Sequence, residues 1–138
     1  MLRRSPIKRK TPLKSKAPIK KKRARYAPTK KEEEHHDRIR AMQCCVPSRY
    51  RHECRGATTV SHFNGLKYKG MGQRSNHYLV LPVCYGHHIE GPNSIPGIGG
   101  FKSWTAKYGE QERLLERVWA ELHALYPSIY GQQVGELK

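Results

Sequence analysis

The residues of this chain with the clearest chemical potential are Cys84 and His87, which His88 follows directly. A cysteine and a histidine separated by two residues can bind one metal ion, and His88 then points elsewhere and is available for a second role. His62 closes an apolar stretch further upstream. A histidine has a pKa near neutrality and can act as a general base. The pattern therefore predicts a metal site beside a reactive site.

A structural zinc site is the first prediction. Either Cys44 or Cys45, together with Cys54, Cys84 and His87, completes four ligands of the kind that zinc prefers. Cys44 and Cys45 are neighbours whose side chains diverge, so one of them is expected to be spare, and the sequence leaves open which. The alternative is that all four cysteines are ordinary buried thiols.

The second prediction is a hydrolytic site. Cleavage of a phosphodiester needs a base for water and an ion on the phosphate oxygens. His62 is the candidate base, and His88 is the candidate ligand for a catalytic Mg²⁺ or Mn²⁺ ion. A carbonyl or amide partner must hold the base in the right tautomer, and Asn76 is the nearest candidate, although His77 is equally well placed. The alternative for His62 is a structural histidine.

The charge of the chain indicates a polyanionic partner. The net charge is +16, and residues 1–31 contain 14 lysines and arginines and no acidic residue. Basic residues that neutralise phosphates release counterions, which drives binding to DNA. The predicted DNA-binding residues lie in this segment and in a glycine-rich basic loop at residues 64–76: Lys8, Arg9, Lys10, Lys14, Lys20, Lys21, Lys22, Arg23, Lys67, Lys69 and Arg74.

The basic segment is repetitive. Three hexads that begin at Ser5, Thr11 and Ala17 share one pattern with proline in second position. Regular prolines prevent a continuous helix, and like charges favour extended chains. Residues 1–28 are therefore predicted to be a disordered DNA tether, and residues 29–138 one domain. A solubility tract or a nuclear-localisation-like tract is the alternative.

The cellular compartment is predicted from the lack of a membrane span and of a secretory signal in the sequence. No apolar run approaches the roughly 20 residues of a membrane span, and the basic N-terminus lacks the apolar core of a secretory signal. A cytoplasmic protein at the bacterial nucleoid, with no membrane partner, is expected. Cysteines in that compartment indicate metal ligands rather than disulfides.

The first predicted element is a helix from Thr29 to about Gln43. Thr29 and Glu32 match a capping box, in which the two side chains cap the first turn. His35 and His36 lie on this polar helix and are expected to be solvated surface histidines.

The elements that must position the site are two strands and a short helix. A cysteine-bearing loop, residues 44–56, precedes a strand at residues 57–63, where β-branched residues are frequent. The basic loop at residues 64–76 leads to a second strand at residues 78–83. A short helix then begins near Cys84 and ends by the Gly-Pro pair at residues 91–92.

Two further helices are predicted to pack on this unit. One is expected to end at Gly109 and the other at Pro127. Their large apolar residues are expected to form core contacts rather than a base-stacking surface: Phe101, Trp104, Tyr108, Leu114, Leu115, Val118, Trp119, Leu122 and Leu125.

Together these residues resemble a known family. The two cysteine segments, Ser61-His62-Phe63 and Leu81-Pro82-Val83-Cys84-x-x-His87-His88 are similar in order to the HNH, or ββα-metal, endonucleases. The stretch from Gly99 to Leu115 resembles the phage recombination-enhancement nucleases, which depend on the RecA recombinase. The similarity covers roughly residues 38–120.

The resemblance implies an α+β fold with a ββα-metal core, a structural zinc and flanking helices. It also implies metal-dependent cleavage of DNA recombination or repair intermediates, alongside a RecA-type recombinase filament. His62 matches the general base and His88 a metal ligand. Two departures stand out, because Cys54 replaces a cysteine expected near Pro47 and residues 93–97 lack a further histidine.

Two other functions remain open. One is a zinc-stabilised DNA-binding recombination accessory protein without catalysis, and the other is an RNA-associated or ribosomal zinc protein. DNA cleavage, and RNA preference in competition binding, distinguish the three.

Overall fold

The structure is a computed structural model, and it describes residues 27–64, residue 67 and residues 76–131. The predicted tail therefore lies almost wholly outside the described residues. The elements are helix α1 (Lys30–Ala41), a 3-10 helix (Ser48–Glu53), strands β1 (Thr58–His62) and β2 (Val80–Cys84), and helices α2 (Tyr85–His88), α3 (Phe101–Tyr108), α4 (Gln111–Leu125) and α5 (Pro127–Tyr130). The predicted α+β class is confirmed.

The centre of the fold is an antiparallel hairpin of β1 and β2. Thr58 pairs with Cys84 and His62 with Val80, so both ends of the pairing carry residues of interest for function. All five residues of β2 are buried, which accords with its continuous apolar sequence. The backbone of Cys45 donates to the carbonyl of Pro82 over 2.7 Å, so the cysteine-bearing segment covers the outer edge of β2.

Helix α1 begins at the predicted capping box. The Thr29 hydroxyl accepts from the Glu32 backbone, and the Glu32 carboxylate accepts from the Thr29 backbone. The helix ends at Ala41, two residues before the predicted end at Gln43. It packs against both strands, so it forms one wall of the region around β1.

Helices α3, α4 and α5 form the C-terminal part of the fold. Helix α3 ends at Gly109, whose φ of 115° lies in the region that favours glycine. Helix α4 packs on β2 and on α5, a short helix that the sequence analysis did not include. The buried apolar residues form one core: Ile39, Met42, Cys44, Val46, Phe63, Val80, Leu81, Val83, Cys84, Trp104, Tyr108, Leu114, Val118, Leu122 and Tyr130.

The segment predicted as a cysteine-bearing loop, residues 44–56, is partly helical. Its 3-10 helix, Ser48–Glu53, separates Cys44 from Cys54. Tight 3-10 turns are common connectors, and this one returns the chain towards the point it left. It therefore brings two distant cysteines to the same place.

Candidate metal centre and adjoining cleft

Four of the predicted zinc ligands converge on one point. The Sγ atoms of Cys44, Cys54 and Cys84 and one ring nitrogen of His87 lie within 4.8 Å of one another. The Nδ1 of His87 is 3.8, 3.7 and 3.1 Å from the Cys44, Cys54 and Cys84 sulfurs, respectively. Tetrahedral zinc with ordinary bond lengths places sulfur and nitrogen ligands about 3.6 Å apart. The residues present therefore fit a zinc ion.

The ring of the fourth ligand, His87, is oriented by the carboxylate of Glu53, which lies on the side away from the thiols. Its Nε2 lies 3.4 Å from Oε2 of Glu53, so Nδ1 is the nitrogen that faces the thiols. Glu53 in turn accepts hydrogen bonds from the Tyr108 hydroxyl at 2.7 Å and from the Lys107 ammonium at 3.0 Å. The Tyr108 bond, followed by the Lys107 bond, lowers the pKa of the Glu53 carboxyl to about 2. A carboxylate that accepts from a ligand histidine is the usual support of a zinc site.

The thiols themselves need a cation to ionise. Burial is the largest cause that raises the pKa of Cys44 and Cys54, and the neighbouring sulfurs add repulsion, so that the pKa of Cys54 reaches about 12. Three thiolates in one buried place repel one another, whereas a divalent cation reverses this balance. The cluster is therefore suited to a bound metal ion.

Cys45, which the sequence left as an alternative to Cys44, lies apart from the cluster. It packs against the core and lines a small cavity of 170 Å³ together with Cys44, Arg51 and Pro82. The backbone of Cys84 donates to the Cys44 sulfur over 3.3 Å, which holds Cys44 at the cluster. The structure thus brings together Cys44, and not Cys45, with the other three ligands.

A cleft of 730 Å³ lies along β1. Residues 58–64 form its floor, and His62 and His88 both line it. Successive side chains of a strand point to opposite faces. Thr59 therefore points to one face of the hairpin and His62 to the other, and groups from both faces reach the same cleft.

His88 is held in one tautomer by Thr59. The Thr59 hydroxyl donates its single proton to the carbonyl of Val83 at 2.7 Å. It can then only accept from Nδ1 of His88, which is also 2.7 Å away. The lone pair of His88 is consequently on Nε2, the nitrogen available to an ion. Burial lowers the pKa of His88, so the ring is neutral at pH 7.

His62 is contacted by His77 rather than by Asn76. The Nε2 of His62 is 3.1 Å from Nδ1 of His77. The Asn76 side chain instead accepts from the backbone of Tyr78 at 2.9 Å, and Asn76 does not line the cleft. Of the two candidates for orienting His62, the structure places His77 at the site.

The prediction that His35 and His36 are solvated surface histidines is wrong. They are 1% and 5% exposed, respectively. His35 donates to or accepts from the hydroxyl of Tyr130 at 2.7 Å, while His36 lines the cleft and donates Nε2–H to the carbonyl of His77 at 2.9 Å. One ring nitrogen from each of His36, His62 and His77 lies within 4.8 Å of the other two. The sequence of α1 alone suggested a solvated helix, because the residues that pack on it are distant along the chain.

The predicted DNA-binding residues are mostly not described. Lys67 is, and its ammonium pairs with Glu112 at 3.2 Å on the surface. Arg40, which the sequence analysis did not select, lines the cleft and pairs with Asp37 at 2.7 Å. The other predicted contacts lie outside the described residues: Lys8, Arg9, Lys10, Lys14, Lys20, Lys21, Lys22, Arg23, Lys69 and Arg74.

Comparisons of the chain with protein-family models, with curated proteins and with solved structures find no match. Among the described residues, no helix has the length and apolar character needed to cross a membrane.

Proposed function

We propose that this protein is a metal-dependent endonuclease that hydrolyses DNA with a ββα-metal core of the HNH type. The observation that carries the proposal is the cleft along β1, where His62 and the neutral, tautomerically fixed His88 line one cavity. Phosphodiester hydrolysis requires a base for water and an ion on the phosphate oxygens, and these two histidines are candidates for the base and for the ligand of the ion.

The order of elements supports the same proposal. The hairpin of β1 and β2 runs directly into α2, whose four residues carry both His87 and His88. His87 faces the thiols and His88 faces the cleft. A zinc ion at the thiol cluster would therefore hold α2, and with it His88, against the strands.

The donors of the cleft indicate which catalytic ion fits. Its lining, as far as the structure describes it, contains imidazoles, hydroxyls and an amide but no carboxylate. Mg²⁺ prefers oxygen ligands and commonly takes carboxylates, whereas Mn²⁺ and later metals accept imidazole more readily. We therefore expect Mn²⁺ to support cleavage better than Mg²⁺. The ion would polarise the scissile phosphate while His62 accepts a proton from water.

The test is cleavage by the full chain with Mn²⁺ or Mg²⁺ on single-stranded, duplex and recombinase-coated DNA. His62→Ala should lower the cleavage rate by about 10²–10⁴-fold, the usual contribution of a general base, with DNA binding retained. His52→Ala is the matched control, because His52 is an exposed histidine outside the cleft. Tight binding without cleavage of any of the three substrates would reject the proposal.

That last result would instead favour a zinc-stabilised DNA-binding accessory protein. One observation supports this second candidate, namely that no carboxylate lines the described part of the cleft. Both functions predict a strong salt dependence, which should flatten when residues 1–26 are removed. The capping box at Thr29 remains in that truncation, so the body should keep its fold.

A further inference from the structure

We infer that His36, His62 and His77 form a second transition-metal site, which takes a late first-row divalent ion such as Zn²⁺. Resting on the proposed function, we further infer that Zn²⁺ there inhibits cleavage by occupying His62. The three residues come from α1, from the end of β1 and from the turn before β2.

The spacing of the three imidazoles fits one ion. One nitrogen from each ring lies within 4.8 Å of the other two, and Nε2 of His62 is only 3.1 Å from Nδ1 of His77. Two histidine nitrogens bound to one zinc ion lie about 3.3 Å apart when the zinc–nitrogen distance is 2.0–2.1 Å. The rings of His36 and His62 meet edge to face with centroids 5.5 Å apart.

His36 is ready to act as a ligand at neutral pH. Burial is the largest cause that lowers its pKa, which favours the neutral ring that can bind a metal ion. Its ring already donates one N–H to the backbone carbonyl of His77. A ligand histidine usually makes such a bond with the nitrogen that does not bind the metal, and the bond holds the ring in place.

The surrounding charges permit a cation. The carboxylate of Glu32 interacts electrostatically with both His36 and His77. The cationic Arg40 lines the same cleft, but its guanidinium is paired with Asp37. All three histidines line the cleft, which has room for an ion and for water among the residues that the structure describes. Three histidines with an open position are a known zinc arrangement.

The consequence for the proposed function is competition for His62. A lone pair that binds Zn²⁺ cannot accept a proton from water. Zinc should therefore support the fold at the cysteine cluster and inhibit at the histidine cluster, while Mn²⁺ at His88 supports cleavage. Soft thiolates bind zinc more tightly than three imidazoles do, so inhibition requires zinc beyond the structural equivalent.

The experiment is equilibrium dialysis of the full chain against Zn²⁺, with zinc per chain measured by elemental analysis. The wild type should bind about two ions, the first at the cysteine cluster and the second at the histidines. His36→Gln and His77→Gln should each bind about one. His52→Gln, a substitution of an exposed histidine, should still bind two. Circular dichroism of each variant establishes that it is folded, and His77, in a turn outside the helices, provides a variant independent of α1.

A wild type that binds a single zinc ion, or a second ion that persists in both histidine variants, would overturn the site. The regulatory part has a separate readout, the Mn²⁺-supported cleavage rate as zinc is raised above one equivalent. A fall of at least about tenfold in the wild type that is much smaller in His36→Gln supports it, and an unchanged rate refutes it. If the wild type cleaves no DNA at all, the proposed function fails and the regulation with it, while the dialysis result still decides the metal site.

Discussion

The Nε2 of His62 lies 3.1 Å from the Nδ1 of His77, at the point where β1 ends and the turn before β2 begins. Two imidazole nitrogens at this distance share one proton, so each ring fixes the tautomer of the other. The contact also gives His62 a defined direction in the cleft. On the proposed function, the reactivity of His62 would therefore depend on a residue 15 positions further along the chain.

Replacing His77 should lower cleavage without abolishing it. In His77→Ala the ring of His62 loses its partner, and we expect the cleavage rate to fall by about 10–100-fold, with His62→Ala the more severe change. Asn76→Ala is the matched control, since the Asn76 side chain accepts from the Tyr78 backbone and does not line the cleft. A pH–rate profile of His77→Ala should also shift, which loss of folded protein alone would not produce. Equal losses in the two variants would contradict the orienting role.

Removing the hydroxyl of Thr59 should weaken the metal site at His88. Thr59→Val deletes the acceptor for Nδ1–H of His88, so the ring can take the other tautomer. We expect the Mn²⁺ concentration for half-maximal cleavage to rise by about tenfold. Thr58→Val removes a different hydroxyl, which donates to the carbonyl of Met42, and should leave this concentration unchanged. An identical metal requirement in both variants would separate Thr59 from the metal site.

Substitutions of Cys54 and Cys45 should have opposite effects on the zinc content of the protein. Cys54→Ala removes a ligand of the cluster and leaves two thiols and an imidazole without their ion. We expect loss of the tightly bound zinc and a fall of more than about 10 °C in the thermal midpoint, because zinc binding contributes directly to folding. Cys45→Ala should retain the zinc. Zinc loss in Cys45→Ala with retention in Cys54→Ala would reverse the assignment.

Glu53 should increase the zinc affinity of the same cluster through its contact with His87. Glu53→Gln replaces the carboxylate that faces Nε2 of His87 and weakens its attraction for the ring N–H. We expect zinc affinity to fall by about 10–100-fold, measured by competition with a chelator. Glu116→Gln, at an exposed carboxylate of α4, should have no effect. Unchanged affinity in Glu53→Gln would mean that the thiols alone determine binding.

His35 should make the fold sensitive to acid. Burial, followed by repulsion from His36 and Arg38, lowers the pKa of His35 from 6.5 to about 4. Between these values the unfolded chain binds more protons at this residue than the folded chain does. The contribution of His35 to stability is therefore complete above pH 6.5 and is lost as the pH falls towards 4.

Thermal unfolding of the wild type and of His35→Gln, recorded with zinc present, would measure this effect. The wild-type midpoint should fall more steeply than the variant midpoint between pH 6.5 and 5. The difference between the two proteins isolates His35 from other groups that titrate in this range. Parallel curves would show that the pKa of His35 does not differ between the folded and the unfolded state.

Much of the scaffold was predictable because its signals are local. The capping box of Thr29 and Glu32 marks the start of α1, and Gly109 marks the end of α3. Cys84 and His87 could be predicted to bind the same metal ion, since residues three apart on a helical turn lie close together. Each of these features depends only on residues that are close together in the sequence.

The parts that were not predictable depend on distant contacts. His36 becomes buried because α1 packs on the strands and against His77, 41 residues away. His35 becomes buried because Tyr130, 95 residues away, lies on α5. The spacing of Cys44 and Cys45 likewise could not show which thiol joins the cluster, because the path of the 3-10 helix decides it.

Helix α2 carries His87 towards the thiols and His88 towards the cleft within four residues. So short a helix has no stable position of its own. On the proposed function, zinc would therefore have to bind before manganese. A chain refolded with manganese alone would have no ordered place for that ion, whereas a chain that has already captured zinc presents it. Zinc supply during synthesis, rather than manganese supply afterwards, would then set how many molecules ever become competent.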